Sequence, residues 1–363
     1  MEVYVFDKGL NRLGILDNYF SLIWNRKYFK CGDFEIHCPL TSVNLDLLQK
    51  TNVIWKNDDS EAGYIEYRSI RMDEQGVESL VVTGRFLTGY LSRRIVEGQV
   101  VINDTSENAI RELIDTNAIN PTNPDRVIDL LELGQLKNYT QTINMQTSYK
   151  PLLDKVEEIA HASELGIRTI FDIKNSKLVF DIYEGLDRTT SQSTNSPAIF
   201  SREFENVLSQ EYTDSTLNYK NVAIVAGEGE GVDREIEVVG SGIGLDRHEF
   251  FVDAGDIKSK EIDNSTIPPA EYTALLVERG QIKLCEMTDI QTFNSEIDLK
   301  SNLRYKGDFD LGDKVTCRDK SWGVTINTRI VEVQEIYEPT GKKVKVSLGE
   351  GFPTLTDKLK EVI

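Results

Sequence analysis

Three histidines, His37, His161 and His248, are all the imidazoles that the 363-residue chain offers for acid–base or nucleophilic chemistry. Serine–histidine catalysis needs an oriented acid behind the ring and a serine on a sharp turn. No Gly-x-Ser-x-Gly elbow occurs. His161 falls beside the apolar face of an expected helix, and His248 lies in the polar run Asp246-Arg247-His248-Glu249. Cys31, His37 and Cys38 are metal-ligating types, but zinc sites want four ligands in short paired intervals. A strand would also turn His37 and Cys38 to opposite faces. No metal and no cofactor is expected.

The glycine-rich stretches Gly227-Glu228-Gly229-Glu230-Gly231 and Gly240-Ser241-Gly242-Ile243-Gly244 lack the Lys-Ser/Thr of a phosphate loop, and glutamates in the first would repel phosphate. Both read as hairpin loops. Acidic groups gather at Asp181, Glu184 and Asp187, and at Asp308, Asp310 and Asp313. Glycoside hydrolysis needs one separated carboxylate pair with one raised pKa. With 60 acidic residues in the chain, chance clusters are expected. A carboxylate-based cell-wall glycan hydrolase, or a carbohydrate-binding module using Trp24, Trp55 or Trp322, therefore stands as the alternative reading. The leading expectation is a protein that is not an enzyme. Arg26, Arg93, Arg94, Arg188 and Arg329 sit in strand-like, acid-rich contexts and are candidates for salt bridges between subunits, because guanidinium pairs bidentately with carboxylate.

These residues sit in a chain of globular composition, 39% hydrophobic and 28% charged. A prior of roughly 150 residues per domain suggests two or three domains. Lys and Arg number 41 against the 60 acids, a net charge of −19. Nucleic-acid binding rests on neutralising phosphates, so specific binding is not expected here. Four cysteines without repeated spacing, Cys31, Cys38, Cys285 and Cys317, suggest a reducing compartment. No run of about 18 apolar residues predicts a membrane span. The N-terminus reads as a strand rather than a signal peptide.

Short β-branched and aromatic runs around turns predict strands at 3–5 and 13–15, a pair within 21–39, and a hairpin from Tyr64–Ile70 to Ser79–Thr83. In the middle, Asp104 with Glu107 predicts a capped helix through Ile114, and a second helix is expected from Thr147 or Ser148 to Gly166. A hairpin over 170–183 turns at Lys174–Lys177. The last third predicts strands at 221–225, 235–239 and 249–252, a helix over 268–280 closed by Gly280, and a final hairpin from Ile330–Tyr337 to Val344–Leu348. The first and last hairpins superimpose with a displacement of 265 (330 − 65): Ile65 on Ile330, Gly76 on Gly341, Val81 on Val346, Gly84 on Gly349. This raises an internal duplication flanking a mixed insertion.

The order of short tags from about residue 19 to 353 resembles siphovirus-type phage tail proteins, of the baseplate-hub or tail-associated-lysin N-terminal family. The tags are Ser21–Tyr28 with Gly32-Asp33-Phe34, Val82-Thr83-Gly84-Arg85 with Leu91–Ile95, Tyr149–Leu153, Tyr183–Thr189, Ile199–Val207, Tyr219–Ala223, Leu311-Gly312-Asp313 and Thr328-Arg329-Ile330. The signature or interface residues carried by this resemblance are Trp24, Arg26, Gly32, Asp33, Phe34, Gly84, Arg93, Arg94, Asp187, Arg188, Asn206, Asn221, Gly312, Asp313 and Arg329.

The resemblance implies a mainly β fold with an α+β insertion and two tube-type, barrel-like β-domains in a phage tail hub architecture. The expected division is 1–98, first tube-type domain; 99–205, mixed α+β domain; 206–363, second tube-type domain with a helical insertion near 268–280. It implies a homotrimer at the virion tail tip, synthesised in the host cytoplasm, whose two similar domains per chain make a pseudo-sixfold ring. Its implied neighbours are the distal tail protein, the tape-measure protein, and receptor-binding or tail-fibre proteins. The chain ends at Ile363, shortly after Gly351-Phe352-Pro353, so a hub without an attached lysin module is expected.

Overall fold

The computed structural model describes residues 1–260 and 266–349. The strands in chain order are β1 (Val3–Phe6), β2 (Arg12–Leu16), β3 (Ser21–Lys27), β4 (Asp33–Pro39), β5 (Val53–Lys56), β6 (Ala62–Met72), β7 (Glu78–Phe86), β8 (Gln99–Thr105), β9 (Leu131–Leu133), β10 (Thr142–Ser148), β11 (Gly166–Asp172) and β12 (Lys177–Tyr183). Then come β13 (Asp187–Arg188), β14 (Ile199–Phe200), β15 (Val207–Ser215), β16 (Val222–Ala226), β17 (Ile236–Gly240), β18 (Glu249–Asp253), β19 (Ile290–Ile297), β20 (Lys314–Asp319), β21 (Val324–Glu338) and β22 (Gly341–Leu348). Among the described residues, four α-helices interrupt them: α1 (Ser42–Leu47), α2 (Ser106–Ile114), α3 (Leu152–Ala162) and α4 (Pro269–Cys285). The fold is mainly β with an α+β insertion, as expected.

The chain forms two compact units, and neither is one continuous segment. The first takes Met1–Thr88, Gly166–Asp214 and the described residues from Ile290 onward; the second takes Gly89–Leu165 and Ser215–Asp289. These units run across the linear divisions expected at 98/99 and 205/206. The second unit is built from two chain excursions, one between β7 and β11 and one between β15 and β19.

The first unit is organised by one large sheet, whose main path is β15-β19-β22-β21-β3-β4-β7-β6-β5-β1-β2. Strand alternation explains its core face. Leu22, Trp24 and Arg26 on β3 are buried while their neighbours are half-exposed, and Phe34, Ile36 and Cys38 repeat this on β4. Trp24 packs against Phe34 and Phe86 with ring centroids 5.8 and 4.5 Å apart. A second buried cluster around Phe200, Phe293 and Phe309 fills the space under β19–β22. β11 and β12 form the hairpin anticipated over 170–183.

In the second unit, β16 lies between β17 and β18, antiparallel to the first and parallel to the second. Helix α4 covers one face of this sheet through Tyr272, Leu275 and Leu276. The helix runs five residues past Gly280, its expected end, because that glycine fits against Val225 and Val239, whose methyls would lie 2.8 and 2.7 Å from an added Cβ. The stretch Gly227–Gly231 is a hairpin loop between β16 and β17, as read. Gly240–Gly244 is not a tight hairpin: it passes the start of β16 to reach β18. Helix α3 starts at Leu152 rather than near Thr147, because Thr142–Ser148 is drawn into pairing with Gln99–Thr105. Helix α2 is capped by Thr105 rather than Asp104; Glu107 is buried and accepts backbone N–H groups of Lys137 and Tyr139 instead of closing a capping box.

Candidate functional site: a repeated strand block and its charged seam

The large sheet contains the same four-strand order twice. One block is β3-β4-β7-β6, the other β15-β19-β22-β21, and β21 joins the second block to β3 of the first. The hairpin strands carry their register irregularities at matching places. Glu66 is skipped between Ile65 and Tyr67, and Val331 between Ile330 and Glu332. These bulges keep the 265-residue displacement. Beyond the turns the displacement becomes 264, which corrects the sequence alignment of Val81 with Val346 and Gly84 with Gly349. Five residues separate Met72 from its partner Glu78, but four separate Tyr337 from Lys342. The row Phe34–Gly84–Ile65 therefore corresponds to Phe293–Leu348–Ile330, and all six residues lie on the core face.

The seam between blocks is charged and largely buried. Lys56 is fully buried, with Nζ 3.2 Å from Glu335 Oε1 and 3.5 Å from Asp59 Oδ2. Arg26 donates to Asp310 at 2.8 Å, to Tyr305 at 2.9 Å and to Glu61 at 3.3 Å. Lys306 reaches Asp59 at 3.0 Å, and Tyr337 donates to Glu335 at 2.6 Å. Burial works to raise each carboxylate's pKa, and the cations decide the outcome. Lys56, Lys306 and Lys342 outweigh burial at Glu335 and hold it down to about 2. Arg26, Lys306 and Lys56 likewise hold Asp59 well below the usual range. At Glu61 burial wins, reinforced by Asp59, and the carboxyl is pushed up to about 7.

A second convergence surrounds Tyr28. Arg329 stacks its guanidinium 4.9 Å from the Tyr28 ring centre and donates to Gly312 O at 2.7 Å. Gly312 has φ +91°, and an added Cβ would meet the Tyr28 ring at 2.4 Å, so this position needs glycine on both counts. Asp313 accepts from Leu186 N at 2.8 Å and Arg188 Nε at 2.9 Å. Arg26, Arg188 and Arg329, expected as candidates for salt bridges between subunits, thus each have partners inside the first unit.

The remaining expected residues scatter. Trp24, Phe34 and Gly84 belong to the core of the first block, and Gly32 O accepts from Phe86 N at 2.8 Å. Asp33 accepts from Lys27 and Asn25, both at 2.8 Å. Asn206 closes a turn onto Ser201 N and Ile199 O. Asp187 caps its own turn through Thr189 N. Arg94 donates to the carbonyls of Arg126 and Val127, and Arg93 lies over the Tyr90 ring. Asn221 clamps the 241–248 turn. The tag Gly351-Phe352-Pro353 lies outside the described residues.

Among the described residues, no group of His, Cys, Asp and Glu is arranged to hold a metal ion. His37 and Cys38 do face opposite sides, His37 toward Glu35 and Cys38 toward Leu80 O. The acidic groups flagged in the sequence meet cations: Asp181 with Arg168, Asp308 with Arg304, Asp310 with Arg26. Sequence reasoning missed Lys56, Asp59, Glu61 and Glu335. The signal available was parity, since Glu335 shares the buried side of β21 with Val333.

The family model described as Siphovirus ReqiPepy6 Gp37-like protein matches residues 2–350. The chain belongs to this family. The resemblance to siphovirus tail proteins drawn from the short tags is borne out over nearly the whole chain. No curated protein sequence matches. Among solved structures, this Gp37-like chain is similar to prophage tail protein gp18 from Listeria monocytogenes EGD-e, with TM-score 0.57 and 14% identity over 100% of this chain and 98% of that one. It is similar to the tail protein from Neisseria meningitidis MC58, with TM-score 0.57 and 14% identity over 96% of each chain. It is also similar to the 43 kDa tail protein of prophage MuSo2 from Shewanella oneidensis, with TM-score 0.56 and 12% identity over 96% of this chain and 98% of that one. At such identity these likenesses establish the fold, which is that of phage tail proteins.

Proposed function

We propose that this Gp37-like tail protein is a structural hub of the tail tip, without enzymatic activity, that closes as a homotrimeric pseudo-sixfold ring. The observation that carries the reading is the repeated block with matching register. Within one chain, β21 at the edge of one block pairs with β3 at the edge of the other. The same two edges recur at the ends of the pair. β6 pairs with β5 over Ala62–Tyr64 and exchanges hydrogen bonds with Thr51 and Asn52 through Ile65, so among the described residues only its Tyr67–Met72 stretch carries no strand on the outer edge, and β15 ends the sheet. If β6 of one copy meets β15 of the next, the internal joint is repeated, and three copies present six blocks. The apolar side chains Tyr67, Ile70 and Met72 on β6 and Leu208 on β15 are exposed at these edges. Unprotected edges of this kind invite strand addition.

The face of the sheet opposite the core is polar and mixed in charge, carrying Glu35, Thr83, Glu296, Glu332 and Gln334 beside Lys27, Arg85 and Lys345. In a ring this face would line the conduit, and the net charge of −19 on each chain disfavours a grip on DNA. The distal tail protein, the tape-measure protein and receptor-binding or fibre proteins are the partners this position would bring. Mass photometry of the purified chain tests the ring: the reading requires a trimer that dissociates when Ile70 or Leu208 is replaced by lysine, with the monomer's melt unchanged. A chain that stays monomeric at all concentrations, alone and with tail-tube protein, overturns it.

A further inference from the structure

The block repeat extends to a fifth strand. β5 pairs with β6 as Val53↔Tyr64, Ile54↔Gly63 and Trp55↔Ala62. β20 pairs with β21 as Lys314↔Arg329, Val315↔Thr328 and Thr316↔Asn327. The β6 and β21 members keep the displacement of 265 (329 − 64), so β5 and β20 correspond at 261 (314 − 53). The residues just before them agree. Ile65 N donates to Asn52 O and accepts at its O from Thr51 N, as Ile330 does with Asp313 O and Gly312 N, and Thr51 and Gly312 both have positive φ, +76° and +91°. Asn57 is therefore equivalent to Arg318 and Asp58 to Asp319, while Ile70 is equivalent to Glu335 and Met72 to Tyr337.

Inside the chain the end of β5 and the turn after it cover the joint between blocks. Lys56 reaches Glu335, and Tyr337 donates to Asp58 at 3.3 Å. Glu335, paired with the buried Val344, is itself wholly buried. Ile70 pairs with the equally buried Leu80, yet it is 56% exposed, and Met72 is 70% exposed. The corresponding end of β20 carries a built surface. A 3-10 turn, Arg202–Phe204, is fastened to it: Arg202 Nε donates to Asp319 at 2.7 Å, and Glu203 accepts from Lys320 N at 3.0 Å. Arg202 lies over the Trp322 ring and Arg318 over the Phe204 ring, at 5.0 and 5.1 Å from the ring centres. Both rings are nearly half exposed, and Lys320 and Glu205, one of each sign, stand at the rim. Asp319 is engaged by Arg202, Ser321 and Trp322 N. Among the described residues Arg318 makes no hydrogen bond or ion pair, and its Nε is buried.

We propose that the Phe204–Arg318–Trp322 surface of one copy receives Ile70 and Met72 of the next, with Arg318 paired to that copy's Glu74. The occupant is a second copy because the chain already shows this contact once, between its own two blocks, and repeating it head to tail closes a ring. Tyr337 touches Asp58, so the repeat sets Met72 of the next copy beside Asp319, and Arg318 is one residue away. The turn that follows Met72 offers one carboxylate. Asp73 accepts from its own Gln75 N and Val77 N, whereas Glu74 is exposed and makes no hydrogen bond or ion pair among the described residues. A guanidinium fixed on an aromatic face and left unpaired suits a carboxylate brought by a partner. The charged joint within the chain thus has an apolar counterpart between chains, flanked by one ion pair. This inference rests on the ring reading and adds which side chains make its joints.

The test is charge exchange in the full chain, read by mass photometry as the concentration at which half the chains are trimeric. Glu74→Arg and Arg318→Glu should each raise that concentration at least tenfold, with thermal melts unchanged. The variant carrying both exchanges should return to within about threefold of wild type, because each joint then pairs the same two charges reversed. Phe204→Ala should also raise it, by removing the face that holds Arg318. A wild-type trimer that neither single exchange weakens overturns this contact and leaves the ring standing. Single exchanges that weaken the trimer without rescue in the combined variant overturn the Glu74–Arg318 pairing. A wild-type chain that never assembles overturns the ring reading, and this contact with it.

Discussion

Lys56 Nζ and Glu335 Oε1 lie 3.2 Å apart with both side chains wholly buried, at the seam where the strand of one block meets the other. A buried pair of this kind contributes little net stability, because desolvation offsets the attraction. Breaking it is another matter. Lys56→Met alone leaves Glu335 and Asp59 short of a cation, and should destabilise the first unit by about 3–5 kcal/mol. Lys56→Met combined with Glu335→Leu should cost less than either single change. Urea unfolding of the three variants measures the coupling. Additive losses would show that the two charges do not act as a pair.

Two of the seam carboxylates, Glu335 and Glu61, predict opposite pH limbs. Glu335 is depressed from 4.5 to about 2 in the fold, so its contribution is present above pH 4.5 and is lost as pH falls toward 2. Glu61 is raised from 4.5 to about 7, so the folded state holds its proton more tightly. That contribution is complete below pH 4.5 and disappears as pH rises through 7. Thermal melts from pH 2.5 to 8 should decline at both ends. Glu61→Gln should flatten the decline between pH 5 and 8 while keeping the acid limb. An unaltered upper limb in that variant would place the titration elsewhere.

The equivalent positions Gly84 and Leu348 fill the same row in opposite ways. A Cβ on Gly84 would sit 1.9 Å from Tyr64 O, which is backbone and cannot turn aside. Gly84→Ala should therefore cost at least about 2 kcal/mol. Leu348→Ala empties a fully buried position and should cost about 2–5 kcal/mol. Gly76, also a glycine of the first hairpin, has φ +77° but nothing within 4 Å of an added Cβ. Gly76→Ala should cost only about 1–2 kcal/mol, the strain of a left-handed residue. Differential scanning calorimetry ranks the three, and a Gly76→Ala loss as large as that of Gly84→Ala would contradict the close-approach argument.

Much of this architecture could be read before any coordinates. β3, β4, β6, β7, β21 and β22 announce themselves through alternation of large apolar residues around turn chemistry. β15 and β19 do not: β15 buries only Val207, and the buried positions of β19 include the polar Thr292 and Ser295 beside Phe293, so residue type does not follow burial there. The block repeat was half legible: the bulge at Glu66 and Val331 keeps one displacement, but a turn shorter by one residue shifts the second strand, which no match of glycines could reveal. Arg26 stood out by its type and context, yet its partners Asp59, Glu61 and Asp310 come from distant chain segments. Sequence carries the oddity of a charge at buried parity; only the fold supplies what satisfies it.

Gly280 is where local propensity and packing disagree most sharply. Glycine within a helix costs about 1 kcal/mol relative to alanine, which is why a helix end is expected there. The helix continues because the missing Cβ lets α4 approach the sheet, with Val239 Cγ2 at 2.7 Å and Val225 Cγ2 at 2.8 Å from the place a Cβ would occupy. Gly280→Ala should gain helix propensity yet lose more through overpacking, which costs about 1–3 kcal/mol. Val239→Ala should relieve the Val239 part of that clash, leaving the Val225 contact in place. The double variant Gly280→Ala/Val239→Ala should then be more stable than the sum of its single changes, by about 1 kcal/mol or more. Chemical denaturation followed through the second unit's transition measures this, and strict additivity would mean that the helix had shifted rather than been squeezed.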